Sequence, residues 1–246
     1  MSYDTQRSKN PRSFRTGSCQ LIRAVGNGNQ FAPTPDLEIK TRKELTMTTF
    51  TKQKLTFDQF LDQYPEDGRY ELVDGEIVEM RAIRWHDDIA DFMIRKFDRE
   101  VERLNLNYRV TGRLVLETQS SSGQQQGRQP DISVVDRNIW HSNRFAYAAL
   151  DQPIQLAVEV VSTNWEDDYI DKLDEYQRLG ITEYWIVDYL AIGSRTYLGN
   201  PKTPTVFVYL LDDAGVYQST AFKGGDRILS RTFPELTLTM NQILDV

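Results

Sequence analysis

Two acids in this chain stand where an acid is expensive to keep. Asp131 follows Pro130 at the mouth of the strand-like run Ile132–Val135, and Glu159 interrupts the apolar run Leu156-Ala157-Val158-Glu159-Val160-Val161. Removing a carboxylate from water is costly unless it is paired or bound to a metal. The period of two along a strand puts Glu159 on the face of Ala157 and Val161, with Leu156, Val158 and Val160 on the other. Two strands that each turn one carboxylate to the same side can hold a hard cation such as magnesium, or manganese, between oxygens at about 2.1 Å. The cation relieves the repulsion between the acids. Taken singly, either acid is equally well served by a strand-end cap or an arginine partner.

Weaker candidates lie around this pair. Lys172 follows Asp168 by four residues, the spacing of a solvated ion pair on one helix face. Ser162 and Thr163 come directly after the second acidic strand and read as helix caps rather than nucleophiles, since no base is assigned near them; Asn164 and Asp167 read the same way. His141 falls in a loop. Arg69, Arg84, Arg113 and Arg128 lie near the acidic segments, where they serve either as phosphate contacts or as ordinary ion-pair partners.

The elements that must position these groups are legible in the pattern. Thr56 and Gln59 form a capping box ahead of a helix carrying Phe57, Phe60 and Leu61, stopped by Pro65 and Gly68. Residues 69–73 and 76–80 predict a tight hairpin around Asp74-Gly75. From Trp85 to Leu104, apolar residues recur every three or four positions, so one long helix should pack on a sheet. Strands are expected at 108–110, 113–117, 132–135 and 154–161, and a helix over 166–179 ended by Gly180. The Ser, Gly and Gln run 120–129 reads as a mobile loop. Beyond it, 183–187, 195–198, 206–211, 216–222 and 227–229 suggest antiparallel strands rather than further βαβ units, so the sheet is expected to be mixed. No repeat or linker divides residues 47–246, which are read as one domain.

Composition sets the remaining bounds. The chain has 246 residues, 39% of them hydrophobic, and one cysteine, Cys19, so it has neither an internal disulfide nor a cysteine-based zinc site; this points to a reducing, cytoplasmic setting. Its longest apolar stretch is broken by Asp188 and falls short of the roughly 20 residues needed to span a bilayer. Residues 1–46 show no period and no secretory pattern. They read as a disordered extension or an upstream reading-frame artefact ahead of a natural start at Met47. Those 46 residues hold eight of the 29 bases and four of the 36 acids, leaving 21 against 32 and a net charge of −11 on residues 47–246. That balance is awkward for a generic duplex binder, whose affinity comes from lysine and arginine on phosphates.

In combination the segments carry a resemblance. RYELVDGEIVEM (69–80), His86 at the head of the long helix, QPDISVVD (129–136), LAVEVVSTN (156–164), DDYIDKLDEYQRLGI (167–181) and EYWIVD (183–188) follow one another in the order of the Uma-two family. This is an endonuclease-like branch of the PD-(D/E)XK superfamily, which includes restriction enzymes. The resemblance covers about residues 55–244. It implies a restriction-endonuclease-like α/β (α+β) fold: a mixed β-sheet with flanking helices and additional antiparallel strands in the C-terminal half. It further implies a divalent-metal-dependent endonuclease acting on DNA, and a homodimer. Residue by residue, Asp131 and Glu159 match the two metal carboxylates and Glu71 the acid of the early hairpin, so that Glu71, Asp131 and Glu159 together are expected to anchor one or two magnesium ions. The superfamily places a lysine two residues after the second acid, where this chain has Val161. Lys172, in the KLxxY segment, matches the position to which the family moves that function, orienting or activating the attacking water. His86 matches a recurrent family histidine that positions water, binds phosphate or caps the long helix. The acidic balance keeps two rivals in play: a non-catalytic scaffold that retains the fold, and a phosphoesterase acting on a smaller or single-stranded ester.

Overall fold

The computed structural model describes residues 54–246; the reading of residues 1–46, and of Met47 as a start, lies outside the described residues. Helix α1 (Phe57–Asp62) opens on the expected capping box, the Thr56 hydroxyl accepting from the Gln59 N–H at 3.3 Å and the Gln59 side chain accepting from the Thr56 N–H at 3.0 Å. Strands β1 (Tyr70–Val73) and β2 (Glu76–Glu79) pair antiparallel around Asp74-Gly75. Both turn residues have positive φ, 51° and 80°, as a two-residue hairpin of this hand requires. Helix α2 (Arg84–Arg103) buries Ile89, Met93, Phe97 and Val101 along one stripe, matching the sequence period.

The chain continues through β3 (Tyr108–Thr111), β4 (Val115–Gln119), β5 (Gln125–Arg128), β6 (Ile132–Asp136), α3 (Arg137–His141), β7 (Ala149–Leu150) and β8 (Leu156–Val160). A π-turn over Asp167–Asp171 then leads into α4 (Lys172–Leu179). The remaining elements are β9 (Glu183–Asp188), α5 (Arg195–Leu198), β10 (Thr205–Leu211), β11 (Tyr217–Lys223) and α6 (Met240–Leu244).

These strands make two sheets rather than the single mixed sheet expected. One runs β2-β1-β5-β4-β7 and the other β11-β10-β9-β8-β6-β3. In the larger sheet β8 and β9 are parallel, so β8, α4 and β9 form one βαβ crossover and the sheet is mixed as expected, although 183–187 reads from the sequence as one of the antiparallel strands; β10 and β11 follow antiparallel as read. The α2 face buries Leu156, Val158, Val160, Trp185 and Phe233. The opposite face, under α4, buries Ala157, Val161, Tyr176 and Tyr184. Each such large side chain taken out of water contributes about 1.5–3 kcal/mol.

Other departures have local causes. The run read as a mobile loop contains β5, an inner strand held between β1 and β4. Its buried positions are polar, so no apolar period betrays them. Gln126 instead exchanges hydrogen bonds with Asp74, its amide nitrogen donating to the carboxylate at 3.1 Å and its oxygen accepting from the Asp74 N–H at 2.8 Å. A Cβ on Gly127 would meet Phe60 at 2.9 Å and Leu72 at 3.1 Å, so α1 can lie on β5 only because that residue has no side chain. Residues 195–198 are one helical turn, too short for a period to separate from a strand. Residues 227–229 make a single bridge, Arg227 to Thr239, in place of a strand.

Candidate active site

The first acid stands just ahead of β6 and the second inside β8, and these two strands are neighbours with Ile132 opposite Val158. The alternation read from the sequence holds, for Leu156, Val158 and Val160 face α2 while Ala157 and Val161 face α4. Glu159 therefore turns towards α4, whose first residue is Lys172. Asp131, Glu159 and Lys172 are all buried and line one cavity of about 40 Å³, together with Arg69, His86 and Asp168. That volume holds water or a small ion.

Lys172 is the hub. Its Nζ lies 3.2 Å from Glu159 Oε2, 3.3 Å from Glu71 Oε1 and 3.3 Å from Asp168 Oδ1. The pairing with Asp168 occurs as the helical spacing suggests, but both residues are buried rather than solvated. Burial works against the charged amine, yet Glu159, Glu71 and Asp168 more than offset it and hold its pKa well above the ordinary value. Lys172 is therefore an ammonium at neutral pH.

The carboxylates around it differ in their support. At Glu159, burial is the largest influence; Lys172 opposes it, but Asp131, Asp168 and Glu71 add repulsion, and the pKa is pushed up to about 8. The Tyr176 hydroxyl, one turn beyond Lys172, donates to Glu159 Oε1 at 2.7 Å. Asp168 is driven the same way, by burial against Lys172 and with Asp131 repelling it, to about 6. Burial pushes Glu71 upward too, but Lys172, Arg128 and the Gln129 N–H outweigh it and keep its pKa low. Asp131 lies well below the usual carboxylate range: burial is overcome by the His86 hydrogen bond and charge, by Arg69 and by the Val160 N–H.

Glu71 does not reach the cavity surface. Its Oε1 accepts from the Gln129 N–H at 3.1 Å and pairs with Lys172, and its Oε2 accepts from Arg128 Nη1 at 3.1 Å. Arg128 is itself gripped by Glu175, through Nε at 2.8 Å and Nη2 at 2.7 Å, and Glu175 also accepts from the Thr118 hydroxyl at 2.7 Å. Glu71 thus backs Lys172 from β1. His86, inside the first turn of α2, has Nε2 3.1 Å from Asp131 Oδ2 and Nδ1 3.4 Å from Asp87. It is not the helix cap, a position held by Ile83 with no side-chain bond. Burial would depress the imidazole, but the Asp131 and Asp87 contacts raise its pKa.

The four arginines separate. Arg69 and Arg128 are bound to acids of the cluster, whereas Arg84 and Arg113 are exposed. Ser162 also lines the cavity rather than capping a helix, and His141 ends α3 away from it. Sequence reasoning undervalued Asp168. The only signal was its i−4 spacing to Lys172, which a surface pair shares. The π-turn directly ahead of α4 sets its position, and the Tyr184 hydroxyl donates to its carbonyl at 2.9 Å.

A divalent cation suits this donor chemistry. Carboxylate oxygens are hard ligands, and Asp131, Glu159 and Asp168 line the cavity; burial first, and then repulsion among these acids, raises the pKa of Glu159 and Asp168, a cost that a cation bound between them relieves. Among the described residues no three acids or histidines already converge into a cage for an ion. Each cation of the cluster instead holds a carboxylate towards itself.

A crystal structure described as "a putative nuclease belonging to DUF820 from Anabaena variabilis ATCC 29413" superposes with a TM-score of 0.58 at 18% identity, over 78% of this chain and 98% of that one, and so shares its fold. No curated protein matches the chain. No described helix is long and apolar enough to cross a membrane. The model of the family Uma2, described as "Putative restriction endonuclease", matches residues 57–241, a span that contains all of β1 to β11 and every residue of the cluster, and the chain belongs to that family.

Proposed function

We propose that this protein is a divalent-metal-dependent endonuclease that hydrolyses phosphodiester bonds in DNA, with magnesium or manganese held by Asp131 and Glu159. Such an ion supplies a water of lowered pKa and neutralises charge gathering on the phosphoryl oxygens. The chain's own groups do the rest. Lys172, held as an ammonium, donates to the attacking water or to a phosphoryl oxygen and does not act as a base. Glu71 fixes the amine from behind, and Tyr176 fixes the Glu159 carboxylate through its 2.7 Å bond. His86 holds Asp131 at one oxygen. Asp168, which lines the same cavity, adds a further acid to the set.

The observation that carries this reading is the meeting of Asp131, Glu159 and Lys172 at one small cavity. The test pairs calorimetric titration of manganese with a plasmid-nicking assay. The expected result is manganese binding that is lost in Asp131→Asn and Glu159→Gln, and metal-dependent nicking that is lost in Lys172→Ala. The acidic balance of residues 47–246 favours a second reading, in which a smaller or single-stranded phosphate ester is the substrate. Metal binding with cleavage of single strands alone selects that version, and absence of both binding and cleavage returns the fold to a scaffold role. We further infer a cytoplasmic homodimer, from the single cysteine and from the outer strands β2, β7, β3 and β11, each paired on one side only. Sedimentation of the purified protein at twice the chain mass is the expected result.

A further inference from the structure

A carboxylate that is to hold a divalent cation needs free lone pairs, and those of Asp131 are heavily used. Oδ2 accepts from the Val160 N–H at 2.8 Å and faces His86 Nε2 at 3.1 Å, and Oδ1 accepts from Arg69 Nη1 at 2.7 Å. Two of these donors are fixed in place. Val160 is main chain in β8, and His86 is buried in α2 with its second nitrogen on Asp87. Arg69 differs. It sits ahead of β1 on a long flexible stem, and its side chain keeps 29% of its surface exposed, against 9% for Asp131. Its grip is also incomplete, because Nη2 reaches only the Gln129 and Pro130 carbonyls at 3.1 and 3.2 Å and the buried Nε has no partner.

Arg69 also stands on a border. It lines the small cavity and, with Gln129 and Asp131, a second and much larger groove of about 980 Å³ between the α1 loop and α2. That groove is acidic, presenting Asp62, Glu66, Asp67, Asp87 and Asp91 against the single further cation Arg113. A guanidinium leaving Asp131 therefore enters a groove lined by further carboxylates, while two positive groups on one carboxylate oxygen repel each other.

We propose that Arg69 is an exchangeable partner of Asp131: the guanidinium and a divalent cation compete for Asp131 Oδ1, and binding of the cation sends Arg69 into the acidic groove. This rests on the reading of Asp131 as part of the cation site. It accounts for the lack of a ready-made cage among the described residues, since Arg69 holds one of the two principal oxygen donors. It also makes Arg69 a positioning residue that sets how tightly the site takes its ion.

The test uses the full chain with manganese alone. Calorimetry on Arg69→Gln is expected to show manganese bound at least about fivefold more tightly than in the parent protein, the low end of coupling between linked sites. Phenylglyoxal labelling of the unaltered protein, read by mass spectrometry, is expected to rise at Arg69 when manganese is added, with the exposed Arg144, which lines neither the cavity nor the groove, as the internal reference. Labelling needs no variant to fold. Equal or weaker manganese binding in Arg69→Gln, or labelling at Arg69 that manganese leaves unchanged, overturns the exchange. Manganese binding that survives intact in Asp131→Asn overturns the cation site itself, and the exchange with it.

Discussion

At the scale of the residue, Glu159 and Lys172 pull stability in opposite directions. Between about pH 4.5 and 8 the unfolded chain has released the Glu159 proton while the native pocket retains it, so native stability falls as pH rises through that window and levels off above it. Glu159→Gln removes the titration and keeps an oxygen for the Tyr176 hydroxyl. Denaturation curves in the presence of a chelator should show the variant more stable than the parent at pH 8, on the order of a few kcal/mol, with the gap closing towards pH 4.5. Lys172→Met works the other way, leaving Glu71, Glu159 and Asp168 without their shared cation. It should cost about 3–5 kcal/mol, and more at pH 8 than at pH 5 because the stranded acids ionise; the midpoint of urea unfolding at the two pH values measures both effects. Asp131 and Glu159 were legible as chemistry because an acid in an apolar strand is anomalous. Glu71, Lys172 and His86 were not anomalous, and only the family resemblance raised them. From its position alone Arg69 serves equally as a phosphate contact or an ion-pair partner, and only the tertiary structure brings it to 2.7 Å from Asp131.

At the scale of the element, the long and strongly periodic pieces were readable and the polar ones were not. The capping box of α1, the β1–β2 hairpin and the stripe of α2 all follow local rules and appear where those rules put them. Strand β5 follows none, because the partners that make it a strand lie in β1 and β4 and its buried side chains are glutamine and arginine. Gly127 shows what that strand needs. Gly127→Ala should destabilise by about 1–3 kcal/mol through the overlap of its methyl group with Phe60 and Leu72, seen as a lower melting temperature with the hairpin otherwise intact. The π-turn before α4 is another feature of this kind. Its sequence, DDYID, looks like an ordinary first helical turn, yet the wider turn is what sits between Asp168 and Lys172 in the chain.

At the scale of the whole molecule, the cluster is a seam. Glu71 and Arg128 come from the five-stranded sheet, Asp131 and Glu159 from the edge of β6 and from β8 in the six-stranded sheet, and Lys172, Glu175 and Tyr176 from the helix between them. Arg128 holds two of these parts together and is almost wholly buried. Arg128→Met should therefore be costly, about 3–5 kcal/mol, because it strips Glu175 of its buried cation and leaves Glu71 with Lys172 as its one charged partner. Adding Glu175→Gln to it should recover part of the loss, a coupling that a double-mutant cycle of unfolding free energies measures.

What the sequence determined by itself is what nearest neighbours along the chain decide: the hairpin, the α2 stripe, the side of β8 on which Glu159 emerges and the anomaly of two acids in apolar strands. What only the tertiary structure decided is where charges meet. A carboxylate's partners are drawn from strands and helices tens of residues away, so the sequence could name Asp131, Glu159 and Lys172 without saying that Glu71 is sealed behind the amine, that Asp168 joins the cavity, or that Arg69 holds Asp131. Local propensity acts over a few residues, whereas electrostatics and burial act through space, and the second kind of information exists only once the two sheets have closed on α4.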